Sequence, residues 1–141
     1  MKLVLVHGSG GTGVVWTHQT EFFRDADAVN LPGHLTEDEP CTSVEDYAAW
    51  LHDYVIAKGY GRPVLAGHSL GGAIVLQYAL DYPDDVGGLV LVGTGAKLRV
   101  APHVLEAIEK GIKNPDPWLS EFIGAQLLAI EDVVFDVVAR E

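Results

Sequence analysis

Positive charge and cysteine are both scarce in this sequence. Its 141 residues include 9 Lys and Arg against 20 Asp and Glu, which gives a formal net charge of −11. A surface that binds nucleic acid needs clustered Lys and Arg to neutralise phosphates, so this composition argues against a nucleic-acid partner. The single cysteine, Cys41, excludes an internal disulfide bond, and such sparse use of cysteine is typical of a cytoplasmic protein.

Long apolar runs are also absent. No stretch reaches the roughly 18 consecutive apolar residues that a membrane-spanning helix needs, so we expect no membrane span. The run over residues 2–6 is short and no small-residue cleavage site follows it, which favours a buried strand over a signal peptide. With 48% hydrophobic and 21% charged residues, the chain also differs from disordered segments. These features predict one folded domain in the cytoplasm.

Apolar runs and helical patterns alternate along the first 95 residues. Each apolar run is bounded by turn residues, as in strands that are buried on both faces of a parallel sheet. Thr42 and Glu45 have the spacing of a capping box at the start of the second helix. The alternation predicts an α/β fold, a mostly parallel sheet flanked by helices. We predict strands at 2–6, 26–29, 63–67 and 89–92, separated by helices at 15–23, 42–58 and 70–82.

The pattern changes after Gly95. No further strand is evident there, and residues 102–111 and 117–140 have helical patterns with apolar residues on more than one stripe. Helices of this kind need a substantial surface to pack against. We therefore divide the chain into a core, residues 1–97, and a helical cap segment, residues 98–141.

A glycine-rich motif with a central serine lies between the third strand and the third helix, Gly67-His68-Ser69-Leu70-Gly71-Gly72. Gly-x-Ser-x-Gly at such a junction is typical of a nucleophile elbow. The turn is so tight that side chains two residues before and after the serine would collide with backbone, hence the glycines. The serine is then strained, with its hydroxyl exposed at the N-terminus of a helix. The alternative is a simple turn in which Ser69 only caps the helix.

A second glycine cluster follows the first strand, in His7-Gly8-Ser9-Gly10-Gly11. Continued to Gly13, it fits Gly-x-Gly-x-x-Gly, which binds the pyrophosphate of a dinucleotide at a helix N-terminus. That fingerprint also needs an acidic residue at the end of the second strand, but the predicted strand ends in Val29 and Asn30. A dinucleotide-binding domain is therefore a remote alternative.

Together with the loop Leu31-Pro32-Gly33-His34, these two motifs resemble the α/β-hydrolase fold family, in the family's order and over residues 2 to about 95. The resemblance implies a serine hydrolase that cleaves a carboxylic ester or thioester through an acyl-enzyme on Ser69. It also implies that the backbone N–H groups of Ser9 and Leu70 form the oxyanion hole. The partner would then be a small acyl substrate. The segment 98–141 resembles the family's lid, and we expect no cofactor or metal.

Four further residues are candidates for contact with the substrate. Gly8 adjoins the oxyanion loop, and His68 adjoins the nucleophile. His34 lies in a loop beside the expected pocket, and Trp118 begins the last predicted helix, where it would line a substrate channel.

None of the six histidines is an obvious catalytic base. We expect His68 to point away from the nucleophile and His7 to brace the oxyanion turn. His18 and His52 lie on helix faces beside exposed positions, where we expect them to be solvated. His103, in the cap segment, would reach the nucleophile only by an unusual fold-back.

The sequence departs from the family where the acid and the histidine of the triad are expected. In the family both follow later strands, and the alternative acid position, Gly93-Thr94-Gly95-Ala96, holds no carboxylate. Without a base a serine is a poor nucleophile. We therefore expect this chain to be the N-terminal portion of a longer enzyme. The alternatives are a truncated reading frame, a cleaved product, or one half whose sheet and triad a second polypeptide or dimer mate completes. The alternative from another class is a catalytically silent fragment or binding module on the same scaffold.

Overall fold

The computed structural model describes residues 1–34, 36–95 and 136–138, which form a five-stranded sheet with helices packed against it. The predicted parallel α/β arrangement is confirmed. In chain order the strands are β1 (Leu3–Val6), β2 (Ala26–Val29), β3 (Val64–His68), β4 (Gly88–Val92) and β5 (Asp136–Val138). Within these ranges the α-helices are α1 (Thr17–Phe22), α2 (Val44–Ala57) and α3 (Leu70–Asp81). Short 3₁₀ helices, Gly13–Trp16 and Pro83–Asp85, precede α1 and follow α3.

The strand order is β2-β1-β3-β4-β5, and the first four of these strands are parallel. From β1 the chain moves to β2 on one side, and then crosses to β3 on the other side of β1. Leu5 accordingly lies beside Ala28 of β2 and Ala66 of β3. The carboxyl ends of β1 and β3 are therefore neighbours at the point where the chain reverses its direction across the sheet, which is where open α/β sheets bind ligands.

The fifth strand corrects the prediction for the C-terminal segment. Asp136–Val138 pairs antiparallel with β4, with Val137 opposite Val90, although we predicted helix over 117–140. A short apolar run fits a helix and a buried strand equally well, and the β-branched valines here favour the strand. The other residues of the predicted cap, including those of its first helix, lie outside the described ranges.

The N-cap of α2 is also corrected, by one residue. The Ser43 hydroxyl, rather than that of Thr42, accepts the hydrogen bond from the Asp46 backbone N–H, at 3.0 Å. The Thr42 hydroxyl donates to the Asp46 carboxylate at 2.8 Å, and this bond holds the pKa of Asp46 below its usual range. Ser43 and Asp46 have the same spacing as Thr42 and Glu45, so spacing alone does not distinguish the two pairs.

One apolar cluster joins the sheet to α2 and α3. Its side chains are buried because alternate residues of the central strands face the apolar stripes of the two helices. Burying each aliphatic side chain contributes about 1.5–3 kcal/mol to folding. The cluster comprises Val4, Val6, Val29, Leu31, Tyr47, Ala48, Leu51, Val55, Leu65, Ile74, Val75 and Tyr78.

A half-buried carboxylate on the edge strand β2 has two tyrosine partners. The hydroxyls of Tyr54 and Tyr60 donate to Asp27 Oδ2 at 2.8 and 2.6 Å. The bond to Asp27, together with burial, raises the pKa of Tyr60 to about 12. Burial and the same carboxylate raise the pKa of Tyr54 as well. Because Tyr54 belongs to α2 and Tyr60 lies three residues beyond its end, these hydrogen bonds connect β2 to the C-terminal end of the helix.

The longest α-helix of the described ranges is α2, with 14 residues. No helix in this part of the chain combines the length and the hydropathy that a membrane crossing requires.

Replacing one isoleucine of the core should destabilise the protein far more than replacing an exposed one. Ile74 is 0% exposed and Ile56 is 62% exposed, and both lie on helices of the same layer. We expect Ile74→Ala to lower the free energy of unfolding by about 2–5 kcal/mol, because it leaves a cavity. Ile56→Ala, the control, should cost under about 1 kcal/mol. Urea unfolding of both variants measures the difference, and equal losses would contradict the assignment of Ile74 to the core.

Candidate active site

The strongest feature of the site is the backbone of Ser69, at the junction of β3 and α3. Ser69 has φ 52° and ψ −115°, and among the described residues it is the one non-glycine residue with positive φ. It occupies the N-cap position of α3 but makes no side-chain capping bond. The alternative in which Ser69 only caps the helix is therefore wrong. The backbone of Ser69 has the strained conformation expected of a nucleophile elbow.

The two glycines of the motif are required by close backbone contacts. A Cβ on Gly67 would collide with the carbonyl oxygen of Gly71, and a Cβ on Gly71 would collide with the carbonyl oxygen of Val6. The first contact explains how β3 turns sharply into α3. The second shows that the first turn of α3 rests directly on the end of β1, which brings the two glycine-rich motifs together.

The loop after β1 forms a tight turn beside Ser69. The Gly11 N–H donates to the Gly8 carbonyl at 3.1 Å, and Gly10 has φ 69°, as the third residue of a type II turn does. A Cβ on Gly8 would lie 3.1 Å from Ser69 Cβ, so this loop and the serine are in van der Waals range. Ser9 is the exposed second residue of the turn.

Several backbone N–H groups near Ser69 have no hydrogen-bond acceptor in the described part of the chain. Among them are those of Ser9, in the turn after β1, and Leu70, the first residue of α3. The first N–H groups of a helix have no intrahelical partner, and they carry the positive end of the helix dipole. Such groups can bind a negatively charged oxygen.

The His7 imidazole connects the turn after β1 to the loop after β2. Its Nε2 accepts a hydrogen bond from the Leu31 backbone N–H at 3.0 Å, so the proton of the neutral ring lies on Nδ1. Nδ1 then donates to the Gly8 carbonyl at 2.8 Å. His7 is completely buried, and burial lowers its pKa. The neutral ring therefore braces the turn that carries Ser9, as expected from the sequence.

The loop after β2 also binds the segment that follows this turn. Asn30 Oδ1 accepts a hydrogen bond from the Gly13 N–H at 2.8 Å. The sequence pattern did not predict this role for Asn30. Its position at the end of β2 indicates it, because the carboxyl ends of neighbouring parallel strands meet at one edge of the sheet.

The other histidines differ in their surroundings. His34 is half-buried, its ring centroid is 5.1 Å from that of His7, and its Nδ1 lies 3.1 Å from the Pro32 carbonyl. The half-buried His68 ring lies between two loops, because added Cβ atoms on Gly8 and Gly93 would meet it at 3.1 and 3.5 Å. Burial lowers the pKa of His68.

The expectation of solvation holds for one of the two helix histidines. The His18 side chain is 94% exposed, whereas that of His52 is 15% exposed. His52 Nε2 lies 3.1 Å from Asp85 Oδ2, and its ring stacks on Tyr82 with centroids 3.7 Å apart. His52 is thus a packed residue, and the prediction for it is wrong because its partners are distant in sequence.

No histidine or carboxylate in residues 1–34 and 36–95 forms a hydrogen bond with Ser69 Oγ. His103 and Trp118 lie outside the described residues. The described part of the chain also contains no group of three or more His, Cys, Asp or Glu side chains that could hold a metal ion.

Comparison with known proteins agrees with this geometry. Residues 3–140 match the family described as "Alpha/beta hydrolase family". The chain therefore belongs to the α/β-hydrolase family. It is 36% identical over 107 residues to "Putative carbamate hydrolase RutD" of Escherichia coli O1:K1 / APEC, an alignment that covers 72% of this chain and 40% of that protein. The chain thus spans about two fifths of the length of the curated relatives it matches.

Two solved structures are similar as well. A thermophilic esterase is 36% identical with a TM-score of 0.67, over 78% of this chain and 43% of that one. Est816, described as an N-acyl homoserine lactone degrading enzyme, is 26% identical with a TM-score of 0.70, over 79% of this chain and 46% of that one. Membership of the family favours the hydrolase interpretation of both glycine motifs over the dinucleotide interpretation.

Protonation of His7 should destabilise the fold in mild acid. The folded-state pKa of His7 lies below its usual 6.5, so the unfolded chain binds the proton more readily. The stabilisation that the neutral ring provides is complete above pH 6.5 and is lost as the pH falls towards the folded-state pKa. We expect the free energy of unfolding, measured with urea, to fall between pH 7.5 and 5.5. His68, whose pKa is also lowered, contributes in the same direction.

The variant His7→Asn isolates this contribution. It should be less stable at pH 7.5 but show a shallower fall towards pH 5.5, because one titrating group has been removed. His18→Gln is the control, since the His18 side chain is 94% exposed, and it should keep the slope of the parent protein. An unchanged slope in His7→Asn would contradict the bracing role of the neutral ring.

Proposed function

We propose that this chain carries the nucleophile and the oxyanion hole of a serine hydrolase that cleaves a carboxylic ester or thioester. The observation that carries the proposal is the strained Ser69, with φ 52°, at the end of β3 and beside the turn after β1. A strained backbone persists only where surrounding contacts fix it, and such positions cluster at functional sites.

The proposed reaction proceeds through an acyl-enzyme. Ser69 Oγ attacks the acyl carbon and transfers its proton to a base, while the electron pair of the carbonyl bond moves onto oxygen. The N–H groups of Ser9 and Leu70 donate to this oxyanion, and the N-terminus of α3 adds the favourable field of its dipole. The oxyanion then collapses and expels the alcohol or thiol. Water attacks the acyl-Ser69 in the same manner and releases the acid.

The base is the component that the described residues do not supply. Without it Ser69 remains protonated, and an oxyanion hole with binding alone retains roughly 10³-fold acceleration over water. The base therefore comes from outside the described residues, either from this chain or from a second polypeptide.

The relatives support an acyl substrate. By their names, one is a putative carbamate hydrolase, one an esterase and one an N-acyl homoserine lactone degrading enzyme. Carbamates, esters and lactones share a carbonyl carbon bonded to a heteroatom that can leave. We infer the same class of small acyl substrate here, with Gly8, His34 and His68 as the residues that contact it. Trp118 lies outside the described residues, and its contact with the substrate stays a prediction from the sequence.

A binding module without activity is the second candidate. It is favoured by the absence of any hydrogen bond from the described histidines or carboxylates to Ser69 Oγ. In that case the residues around Ser69 would bind an acyl compound without cleaving it.

A fluorescent fluorophosphonate separates these candidates, because phosphonylation needs an activated serine. Ser69 Oγ would attack phosphorus and displace fluoride. We expect label on Ser69 in the 141-residue protein and none in Ser69→Ala, with the modified peptide located by mass spectrometry. Ser43→Ala is the control, since it removes a serine away from the site and costs about 1 kcal/mol of helix capping.

Each outcome has a definite meaning. Label confined to Ser69 supports the hydrolase, and the intact-mass spectrum shows whether a second polypeptide accompanies the chain. A folded protein without label would refute an active serine in this chain alone and leave the binding module as the better description of it.

The oxyanion hole can be tested at Ser9 without disturbing the turn. Proline is favoured at the second position of a type II turn, so Ser9→Pro removes the N–H while retaining the backbone shape. We expect Ser9→Pro to slow labelling of Ser69 about 10²-fold, the usual effect of losing one donor. Ser9→Ala keeps the N–H and should lose far less. Equal rates for the two variants would show that the Ser9 amide does not hold the oxyanion.

A further inference from the structure

Both peptide groups of Ser69 are attached to the end of β4. The Ser69 N–H donates to the Val92 carbonyl at 3.1 Å, which extends the ladder between β3 and β4. The Thr94 hydroxyl, two residues further on, donates to the Ser69 carbonyl at 2.9 Å. Thr94 therefore forms a side-chain hydrogen bond to the very residue whose backbone is strained.

Two glycines outside the Gly-x-Ser-x-Gly motif make this contact feasible. Gly93 has φ 54°, which lets the chain turn back from β4 towards the start of α3. A Cβ on Gly72 would collide with the side chain of Thr94. Gly72 is thus a glycine because Thr94 lies against it, and the two positions form one packed unit with Ser69.

The Ser69 carbonyl has other partners that preserve the helix. The N–H groups of Gly72 and Ala73 donate to it at 2.9 and 3.3 Å. These bonds form the first turn of α3 and do not depend on Thr94. The Thr94 hydroxyl is the donor that comes from the loop after β4, so it fixes the direction of the Ser69 peptide relative to the sheet.

We propose that Thr94 is a positioning residue for the nucleophile, whose hydroxyl holds Ser69 in its strained conformation through the Ser69 carbonyl. The consequence for reactivity rests on the proposed function of Ser69. The loop Gly93-Thr94-Gly95 contains no acid and has no other assigned role in the site. Its contribution is to fix the backbone from which Ser69 Oγ is presented.

Two variants of Thr94 separate the hydroxyl from the packing. Thr94→Val keeps the volume against Gly72 and removes the donor, while Thr94→Ser keeps the donor and removes the methyl group. Two readouts are needed, both on the 141-residue protein. The first is the limiting rate and the half-saturating concentration for labelling by a fluorophosphonate. The second is the ¹³Cα and ¹³Cβ chemical shifts of Ser69, which report its backbone dihedral angles whether or not the serine reacts.

We expect Thr94→Val to lower the limiting labelling rate about tenfold, which corresponds to about 1.4 kcal/mol, with the half-saturating concentration little changed. The Ser69 shifts should move in Thr94→Val and remain in place in Thr94→Ser, where the rate should recover. A role in stability alone would change the unfolding transition of both variants without this contrast.

The outcomes distinguish the two proposals. If the parent protein takes no label but the Ser69 shifts move only in Thr94→Val, the hydrolase proposal fails and the positioning role stands. If the Ser69 shifts are unchanged in Thr94→Val, or change equally in both variants, the positioning role is overturned, whatever the labelling shows.

Discussion

The contact between the first turn of α3 and the end of β1 is the constraint on which the site depends. Gly71 lies so close to the Val6 carbonyl that no side chain fits between them. This approach sets the distance from the serine after β3 to the turn after β1. It also forces the sharp turn that places Ser69 at φ 52°. The strain is supported by the parallel sheet, because β1 and β3 are hydrogen-bonded neighbours with a fixed register.

The support around this contact comes from both flanks of the sheet. On the β2 side, the neutral His7 ring connects the turn after β1 to Leu31, and Asn30 accepts a hydrogen bond from Gly13. On the β4 side, Val92 and Thr94 bind the two peptide groups of Ser69. Each of the four parallel strands thus contributes at or just after its carboxyl end. The arrangement around Ser69 follows from this strand order, since a different crossover would separate these four ends.

Much of this arrangement is predictable from local sequence signals. The apolar runs predicted the four parallel strands, and Gly67 and Gly71 on either side of Ser69 predicted the sharp turn between β3 and α3. The errors have a common physical cause. β5 formed where a helix was expected, because the pairing partner is β4, more than 40 residues away in sequence. His52 is packed rather than solvated, because Asp85 and Tyr82 lie on distant segments. The role of Thr94 was not predictable, because a single hydroxyl in a glycine-rich loop has no distinctive sequence pattern.

The tyrosine-bound carboxylate on β2 has a consequence for how this chain behaves in concentrated solution. Among the described strands, β2 is the outermost on its side of the sheet, and an outer strand can recruit a strand from another molecule through its backbone groups. Asp27 places a negative charge within its four residues, and two phenolic hydroxyls hold that charge in position. A second copy of β2 docking beside it would bring a like charge close to this carboxylate, on a protein that already has a net charge of −11. The charge therefore opposes pairing of β2 with another copy of itself.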